Sequence, residues 1–197
     1  MKYRSILLFG APGSGKGTQG TILGKRPSLV HLACGDVFRA LDRNSELGRL
    51  FTKYTVGGGL VPDELTVELW RDTVNKKIAS GQFDPATHIL LLDGIPRTEH
   101  QAVLMQDDID VVAIVHLFIN DVTQLMARLA ARAKKENRAD DTNIEVIRYR
   151  LDVYDEQTQP VLARYPLGKI GRVNATQPPE QVTADILRFL EQKGITV

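Results

Sequence analysis

The segment GAPGSGKGT, from Gly10 to Thr18, is the feature that most restricts how this chain can fold. It follows the apolar run 5–9 and precedes a helical pattern, so it connects a strand to a helix. Glycines let backbone N–H groups turn around phosphates, and the helix N-terminus adds about half a positive charge. Lys16 can reach the β and γ phosphates of a nucleotide. The segment therefore predicts a phosphate-binding loop.

This loop differs at one position from the common pattern G-x-x-x-x-G-K-[ST]. Gly17 occupies the place of the metal-binding hydroxyl, and Thr18 follows one residue later as a possible metal ligand. By itself the pattern does not distinguish kinases from GTPases or motor ATPases. The guanine-reading segment Asn-Lys-x-Asp is absent from the sequence, which disfavours a GTPase. The residues predicted to bind the phosphates of ATP are Gly13, Ser14, Gly15, Lys16, Gly17 and Thr18.

Short apolar runs alternate with longer amphipathic segments along the chain. Almost continuous apolar character indicates strands that are buried on both faces of a parallel sheet. We predict strands at 5–9, 29–33, 88–93, 111–119 and 168–174. The alternation predicts an α/β doubly wound fold, a five-stranded parallel sheet flanked by helices. Two connections are longer than simple crossovers: a helical one from Cys34 to about Gly81, and the polar segment 131–141, after which Thr142 and Glu145 have capping-box spacing.

Composition excludes some partners. The chain has 197 residues, 25 Lys plus Arg against 24 Asp plus Glu, and a net charge of +1, so no basic field favours nucleic acid or an anionic membrane. Its apolar runs are far shorter than the roughly 20 residues of a membrane span. Cys34 is the only cysteine, which rules out an intramolecular disulfide and fits a reducing compartment. We expect a soluble cytoplasmic protein.

The run LLLDGIPRT, residues 90–98, indicates a second anion site. Asp93 ends a predicted strand beside the phosphate loop and could hold Mg²⁺ through water, although it could also be a solvated turn acid. Arg97 could bind a phosphate with two parallel hydrogen bonds or form a surface ion pair. Arg128 and Arg132 are spaced i, i+4 and share one helix face, which by itself is more typical of a solvated basic face than of a site.

Taken in order, these motifs resemble those of the adenylate kinases and related nucleoside monophosphate kinases. The loop is similar to the family's G-x-P-G-x-G-K-G-T, and CGDVFR to its T-G-D-x-x-R. GGLVPDEL resembles the family's G-x-L-V-x-D-E segment. The family's R-x-x-x-R, R-x-D-D and R-L motifs correspond to residues 128–132, 138–141 and 150–151. The resemblance covers essentially the whole chain.

The resemblance implies where two nucleotides and Mg²⁺ bind. The segment 34–63 would bind the monophosphate, and 132–142 would be a short lid without cysteines and hence without zinc. Acceptor ligands would be Cys34, Gly35, Arg39, Leu60, Val61, Gly94, Arg97, Gln101, Arg138 and Arg150. ATP would also contact Arg128, Arg132 and the backbone near Gln177. The residues that act on the transferred phosphoryl group would be Lys16, Arg97, Arg128, Arg132, Arg138 and Arg150.

The sequence departs from the family pattern mainly on the acceptor side. Cys34 replaces a Thr or Ser, Ile95 replaces an aromatic residue, and Gly59 stands where a side chain is common. Ala175 replaces a glycine near the adenine of ATP. One extra residue between Asp141 and Arg150 makes Arg148 a rival for the role of Arg150. These changes affect base selectivity more than the chemistry of transfer.

We therefore predict an adenylate kinase that converts ATP and AMP into two ADP with Mg²⁺ and, as in compact family members, is a monomer. A UMP/CMP-type kinase is the nearest alternative. A catalytically inactive nucleotide-binding regulatory module is an alternative of another class, although the charged residues of the pattern are all present. A mechanical or signalling P-loop ATPase would not explain the second arginine-lined site.

Overall fold

The computed structural model describes residues 2–55, 57–136 and 143–197. Five strands form one sheet: β1 (Tyr3–Phe9), β2 (Leu29–Ala33), β3 (Ile89–Asp93), β4 (Ile109–Phe118) and β5 (Ile170–Asn174). The helices are α1 (Lys16–Leu23), α2 (Cys34–Arg39), α3 (Glu46–Thr55), α4 (Asp63–Ala79), α5 (Glu99–Leu104), α6 (Val122–Glu136), α7 (Ile144–Val153) and α8 (Pro179–Gln192). A π-helical turn (Tyr154–Thr158) and two 3₁₀ turns (Gln159–Arg164 and Leu167–Lys169) lie between α7 and β5.

The five strands lie in the order β2-β3-β1-β4-β5, and every pairing is parallel. The predicted five-stranded parallel sheet is therefore confirmed. The carboxyl ends of the three strands on one side are level, because Leu8 of β1 and Ala33 of β2 both pair with Asp93 of β3. Loops that leave these ends therefore meet at one edge of the sheet, where α/β proteins bind ligands.

Both faces of the sheet are covered by helices, as its continuous apolar strands require. Along β1 the side chains alternate between two cores, with Leu7 and Phe9 in one and Ile6 and Leu8 in the other. The first core contains Trp70 of α4, and the second contains α8 residues. A smaller third cluster joins α6 to α7 through Leu125, Leu129, Ile147 and Leu151. This cluster fixes the two arginine-bearing helices relative to each other.

Some element boundaries differ from the prediction. Strand β5 begins at Ile170, because the residues after Pro166 form a 3₁₀ turn. Helix α7 is capped by Asn143, whose Oδ1 accepts a hydrogen bond of 2.8 Å from the Glu145 N–H. The predicted cap, Thr142, lies outside the described residues. Helix α6 continues to Glu136, so the first part of the predicted lid is helical, and its remainder, 137–142, is not described.

The long connection between β2 and β3 contains α2, α3 and α4, as its length predicted. The last of these helices, α4, begins at Asp63, directly after Pro62. In the described part of the chain, no helix combines the length and the apolar character that crossing a bilayer requires.

Candidate active site

A cavity of about 710 Å³ opens at the carboxyl ends of the strands. It is lined by the phosphate loop, by the turn after β3 and by the start of α2. Helices α6 and α7 close it with arginine side chains. Every residue predicted to bind ATP lines this cavity: Gly13, Ser14, Gly15, Lys16, Gly17, Thr18, Arg128, Arg132 and Gln177. The structure thus brings together motifs that are distant in the sequence.

The segment after β1 has the backbone of a phosphate-binding loop. Gly10, Gly13 and Gly15 all have positive φ, and helix α1 begins at Lys16. The hydroxyl of Ser14 is buried inside the loop, where a Cβ on Gly10 would lie only 2.5 Å from it. The loop is therefore closely packed around its own centre, and it lines the cavity at the N-terminus of α1, where helix N–H groups favour anions.

Lys16 lies folded over this loop. Its Nζ donates hydrogen bonds to the carbonyl oxygens of Gly10, at 2.6 Å, and Ala11, at 3.2 Å. Burial is the main reason why the pKa of Lys16 is lowered to about 8. The Asp93 carboxylate opposes this shift, whereas three neighbouring cations reinforce it: Arg97, Arg132 and Arg150. The cavity is a concentrated positive field that a polyphosphate would neutralise.

Gly17 faces the carboxylate of Asp93. A Cβ on Gly17 would lie 3.8 Å from Asp93 Oδ2, with no closer neighbour. Common phosphate loops place their hydroxyl side chain here, so this chain leaves that space open next to a carboxylate. Asp93 is only 9% exposed and lines the cavity together with Thr18. A carboxylate and a hydroxyl are the hard oxygen ligands that suit Mg²⁺.

The residues present fit a magnesium ion that is held mainly by its nucleotide. Among the described residues, no group of three or more His, Cys, Asp or Glu could hold a metal. Asp93 and Thr18 could supply at most a small part of the six ligands of Mg²⁺, and water and phosphate oxygens would supply the rest.

His31 was not predicted from the sequence, yet it lines the cavity beside Asp93. Its Nε2 is buried and lies 4.0 Å from Asp93 Oδ2. Burial lowers the pKa of His31, although Asp93 and Asp36 oppose the shift. The ring packs under α1, where a Cβ on Gly20 would lie 2.2 Å from Nε2. No motif marks this residue, and the pairing of β2 with β3 brings it near Asp93.

The turn after β3 holds Arg97 in place. Its Nε donates a hydrogen bond of 3.0 Å to the Gly94 carbonyl oxygen. Gly94 has φ +78, a conformation that favours glycine, and a Cβ there would lie 2.9 Å from Arg97 Nη2, so a side chain at this position would displace the guanidinium. The guanidinium lines the cavity and can present its other donors to an anion.

Arg39 projects from α2 on the same side of the cavity. It forms an ion pair with Asp36, one turn earlier, and packs against Gly35. Leu60 also lines this part of the cavity, and Arg150 contributes from α7. Six of the predicted acceptor ligands therefore converge: Gly35, Arg39, Leu60, Gly94, Arg97 and Arg150.

Three predicted acceptor ligands lie behind the cavity wall instead. Cys34, Val61 and Gln101 are 5%, 8% and 1% exposed. Burial raises the pKa of the Cys34 thiol to about 11. Gln101 Oε1 accepts a hydrogen bond of 2.7 Å from the Arg97 N–H, and its Nε2 donates one of 2.8 Å to Asp63. A contact between these three and a bound base stays a prediction.

The phase of helix α7 places Arg148 and Arg150 differently. Arg150 lines the cavity, whereas Arg148 is exposed on another face. On α6, Arg128 and Arg132 both line the cavity, and so does Lys135, which the sequence analysis did not select. Arg138 lies outside the described residues.

The region after α7 adds a further missed residue. Tyr154 lines the cavity, and its hydroxyl lies 3.2 Å from His116 Nε2 on β4. Burial raises the pKa of Tyr154, so the hydroxyl stays protonated in the physiological range. After β5, Gln177 is held by hydrogen bonds of 3.0 Å from its Nε2 to the Asn174 carbonyl oxygen and to Asp185.

The chain is similar to known proteins over nearly its whole length. A family model described as adenylate kinase matches residues 8–169 of the chain. The chain belongs to the adenylate kinase family. An adenylate kinase of Kocuria rhizophila is 39% identical over 193 residues, which cover 95% of this chain and 98% of that protein. An adenylate kinase of Thermobifida fusca is 38% identical, with 96% and 99% covered.

The similarity is not confined to these two relatives. An adenylate kinase of Parabacteroides distasonis is 40% identical over 172 residues, or 84% of this chain and 85% of that protein. Membership in the adenylate kinase family makes this chain a phosphotransferase whose acceptor is a phosphate group. The predicted family and fold are thereby confirmed.

Proposed function

We propose that this member of the adenylate kinase family transfers the γ-phosphoryl group of Mg²⁺-bound ATP directly to AMP, giving two ADP. The observation that carries the proposal is a single cavity that is lined both by the phosphate loop and by Arg39 and Arg97. A hydrolase needs only the phosphate loop. The additional guanidinium groups in the same cavity provide for a second phosphate, that of the acceptor.

On the donor side, the loop N–H groups and Lys16 would hold the β and γ phosphates. Asp93, through water, and Thr18 would hold the metal. When bound, Mg²⁺ would neutralise charge on the phosphate oxygens and help align the reacting groups. The backbone near Gln177, a residue that lines the cavity after β5, would meet the adenine of ATP.

On the acceptor side, Arg39 and Arg97 would grip the phosphate of AMP from two directions. The transferring phosphoryl group spreads negative charge over its oxygens, and fixed cations stabilise that charge. Arg128, Arg132 and Arg150 already line the space where this group would pass, and Arg138 would join them. Positioning and electrostatics suffice for this reaction, so no covalent intermediate is required.

Gln101 supports an amino base as the acceptor. Its amide orientation is fixed chemically, because Oε1 faces an N–H donor and Nε2 faces a carboxylate. The remaining lone pair and N–H could pair with a base that presents a donor beside an acceptor, as adenine N6 and N1 do. Uracil and guanine present the opposite order, whereas cytosine resembles adenine, so a UMP/CMP-type kinase remains the second candidate. Since Gln101 is buried, this contact requires some movement of its surroundings.

We also propose the roles of two segments that the sequence predicts. Segment 34–63 would bind the monophosphate, and 132–142 would act as a short lid that excludes water, the competing acceptor. The protein would act as a cytoplasmic monomer without zinc. Sedimentation of the purified protein at increasing concentration tests the monomer, because a dimer would sediment faster as concentration rises.

The decisive experiment follows the label from [γ-³²P]ATP with and without AMP. The proposal predicts label in the β position of ADP, little inorganic phosphate, and no transfer when AMP is omitted. Release of inorganic phosphate without AMP would identify an ATPase instead. Binding of ATP with no transfer to any monophosphate would identify an inactive regulatory module.

A further inference from the structure

We propose that Asp63, a residue outside the predicted nucleotide ligands, is a positioning residue for the acceptor site. This inference rests on the proposed function, because the role concerns the monophosphate. Asp63 is the first residue of α4 and ends the segment 34–63. Its carboxylate reaches across to the turn that carries Arg97, 34 or more residues away in the chain.

Both carboxylate oxygens of Asp63 are engaged. Oδ2 accepts a hydrogen bond of 2.7 Å from the Thr98 hydroxyl, and Oδ1 accepts one of 2.8 Å from Gln101 Nε2. Thr98 is also the cap of α5, since its hydroxyl oxygen accepts a bond of 3.0 Å from the Gln101 N–H. Hydrogen bonds to a carboxylate are about twice as strong as neutral ones. We call this group, Asp63, Thr98 and Gln101, the clamp.

The clamp ends on the backbone of Arg97. Gln101 Oε1 accepts a hydrogen bond of 2.7 Å from the Arg97 N–H. On the other side, the Arg97 Nε is bonded to the Gly94 carbonyl oxygen. Arg97 is thus held at its backbone by the clamp and at its guanidinium group by the turn after β3. Without Asp63, Gln101 would lose the partner that orients its amide, and Arg97 would lose part of its support.

The same carboxylate also holds the exit of segment 34–63. Leu60, which lines the cavity, lies three residues before Asp63, and Val61 packs into the core. One side chain therefore ties both sides of the acceptor pocket together: the exit of the segment and the turn that bears Arg97. The hydrogen bonds of the Asp63 carboxylate go to Thr98 and Gln101, and neither of these residues belongs to the phosphate loop. Loss of Asp63 should weaken the binding of AMP and leave the binding of ATP unchanged.

Glu64 provides a matched control. It lies next to Asp63 in the first turn of α4, so either acid complements the helix dipole. Its side chain instead bonds to His100 at 2.9 Å on the surface, where the two side chains are 69% and 54% exposed. Replacing either acid by alanine removes one negative charge from the same helix end. Only the replacement of Asp63 breaks the clamp.

The test measures the affinities for AMP and for ATP separately, by calorimetry, in the wild type, Asp63→Ala, Asp63→Asn and Glu64→Ala. We expect Asp63→Ala to weaken AMP binding roughly tenfold or more, the effect of losing hydrogen bonds to a charged group, with ATP binding changed less than about twofold. Asp63→Asn keeps one acceptor oxygen and should show a smaller loss in the same direction. Glu64→Ala should match the wild type for both nucleotides.

Equal weakening of AMP and ATP, or a loss in Glu64→Ala equal to that in Asp63→Ala, would overturn the proposal. If Asp63→Ala does not fold, Asp63→Asn decides it, and unchanged AMP affinity in that variant is the contradicting result. The transfer assay on the wild type distinguishes a failure of the proposed function from a failure of the clamp. A wild type that forms no ADP contradicts the proposed function, whereas an active wild type with an Asp63→Asn variant of normal AMP affinity contradicts only the clamp.

Discussion

Lys16 Nζ and the Gly10 carbonyl oxygen are 2.6 Å apart, so the lysine of the phosphate loop is held by the backbone of that loop. The ammonium group is thereby placed above the loop before any phosphate binds. Three arginines nearby and burial disfavour its charge, and Asp93 favours it. A polyphosphate that enters would relieve the repulsion among these cations, which is why affinity for ATP should depend strongly on Lys16.

Replacement of Lys16 by methionine should therefore weaken ATP binding by roughly ten- to a hundredfold and lower the rate of transfer further, because a charge-assisted hydrogen bond to the β and γ phosphates is lost. Titration of the variant with ATP, followed by calorimetry, measures the first effect. Lys25→Met is the control, since Lys25 is exposed just after the same helix. Equal ATP affinity in Lys16→Met and Lys25→Met would show that Lys16 does not bind the phosphates.

The two arginines of α7 should behave differently. Arg150 lines the cavity and Arg148 is exposed, so we expect Arg150 to meet the transferred phosphoryl group. Arg150→Ala should lower kcat by about a hundredfold, the usual cost of removing one group that stabilises transition-state charge. Arg148→Ala should stay within about twofold of the wild type. The reverse order of kcat values would mean that Arg148 is the residue that acts.

Gly58 lies where the acceptor segment touches α7. A Cβ there would lie 2.9 Å from Arg150 Cγ and 3.2 Å from Val146 Cγ1, and its φ is +80. Gly58→Ala should therefore displace Arg150 and lower kcat more than its effect on stability explains. Gly81→Ala is the control for backbone strain, since Gly81 has φ +71 and open space around it.

Both glycine variants should lose about 1–2 kcal/mol of unfolding free energy from the left-handed conformation. Urea denaturation measures this loss, and steady-state kinetics measures kcat on the same preparations. A kcat for Gly58→Ala that equals that of Gly81→Ala would mean that the contact with α7 does not position Arg150.

Cys34 should be unreactive in the folded protein. Its thiol is 5% exposed, and burial raises its pKa from 9.0 to about 11, so the thiolate fraction at pH 8 falls roughly a hundredfold, a factor of ten for each pH unit. Alkylation by iodoacetamide should be at least that much slower in buffer than in concentrated urea. Comparable rates in the two solvents would show that the thiol is accessible.

The same shift predicts a dependence of stability on pH. Because the folded protein keeps the Cys34 proton more tightly than the unfolded chain, this contribution is complete below about pH 9 and is lost as the pH rises toward 11. The comparison is the free energy of unfolding of Cys34→Ser, measured across the same range of pH. A wild type that loses no more stability than the variant would contradict the assignment of the shift to Cys34.

The sequence was sufficient to predict the sheet, since five almost continuous apolar runs leave few other folds for strands of this kind. It was also sufficient to predict that the phosphate loop and Arg97 lie at one site, because each follows the carboxyl end of a strand. It could not decide between Arg148 and Arg150, which differ only in the phase of α7. Nor could it show that Gln101 is buried, because burial depends on packing by distant elements.

Asp63 and His31 show a second kind of limit. The clamp joins Asp63 to side chains 35 and 38 residues away, and His31 meets Asp93 only through the pairing of β2 with β3. No local pattern encodes such contacts. The start of α7 was predicted one residue too early. Asn143 and its neighbour Thr142 can both cap a helix, so their side chains do not distinguish the two positions.

The central claim is that AMP is the acceptor, and the most direct test is transfer from Mg²⁺-ATP to AMP, CMP, UMP, GMP and dTMP with the diphosphate products resolved. The account predicts strong ADP formation from AMP and little product from the others, with CMP the best of these because cytosine presents the same hydrogen-bond order as adenine. Faster transfer to any other monophosphate than to AMP would contradict it and would direct attention to Cys34, Gly59 and Ile95.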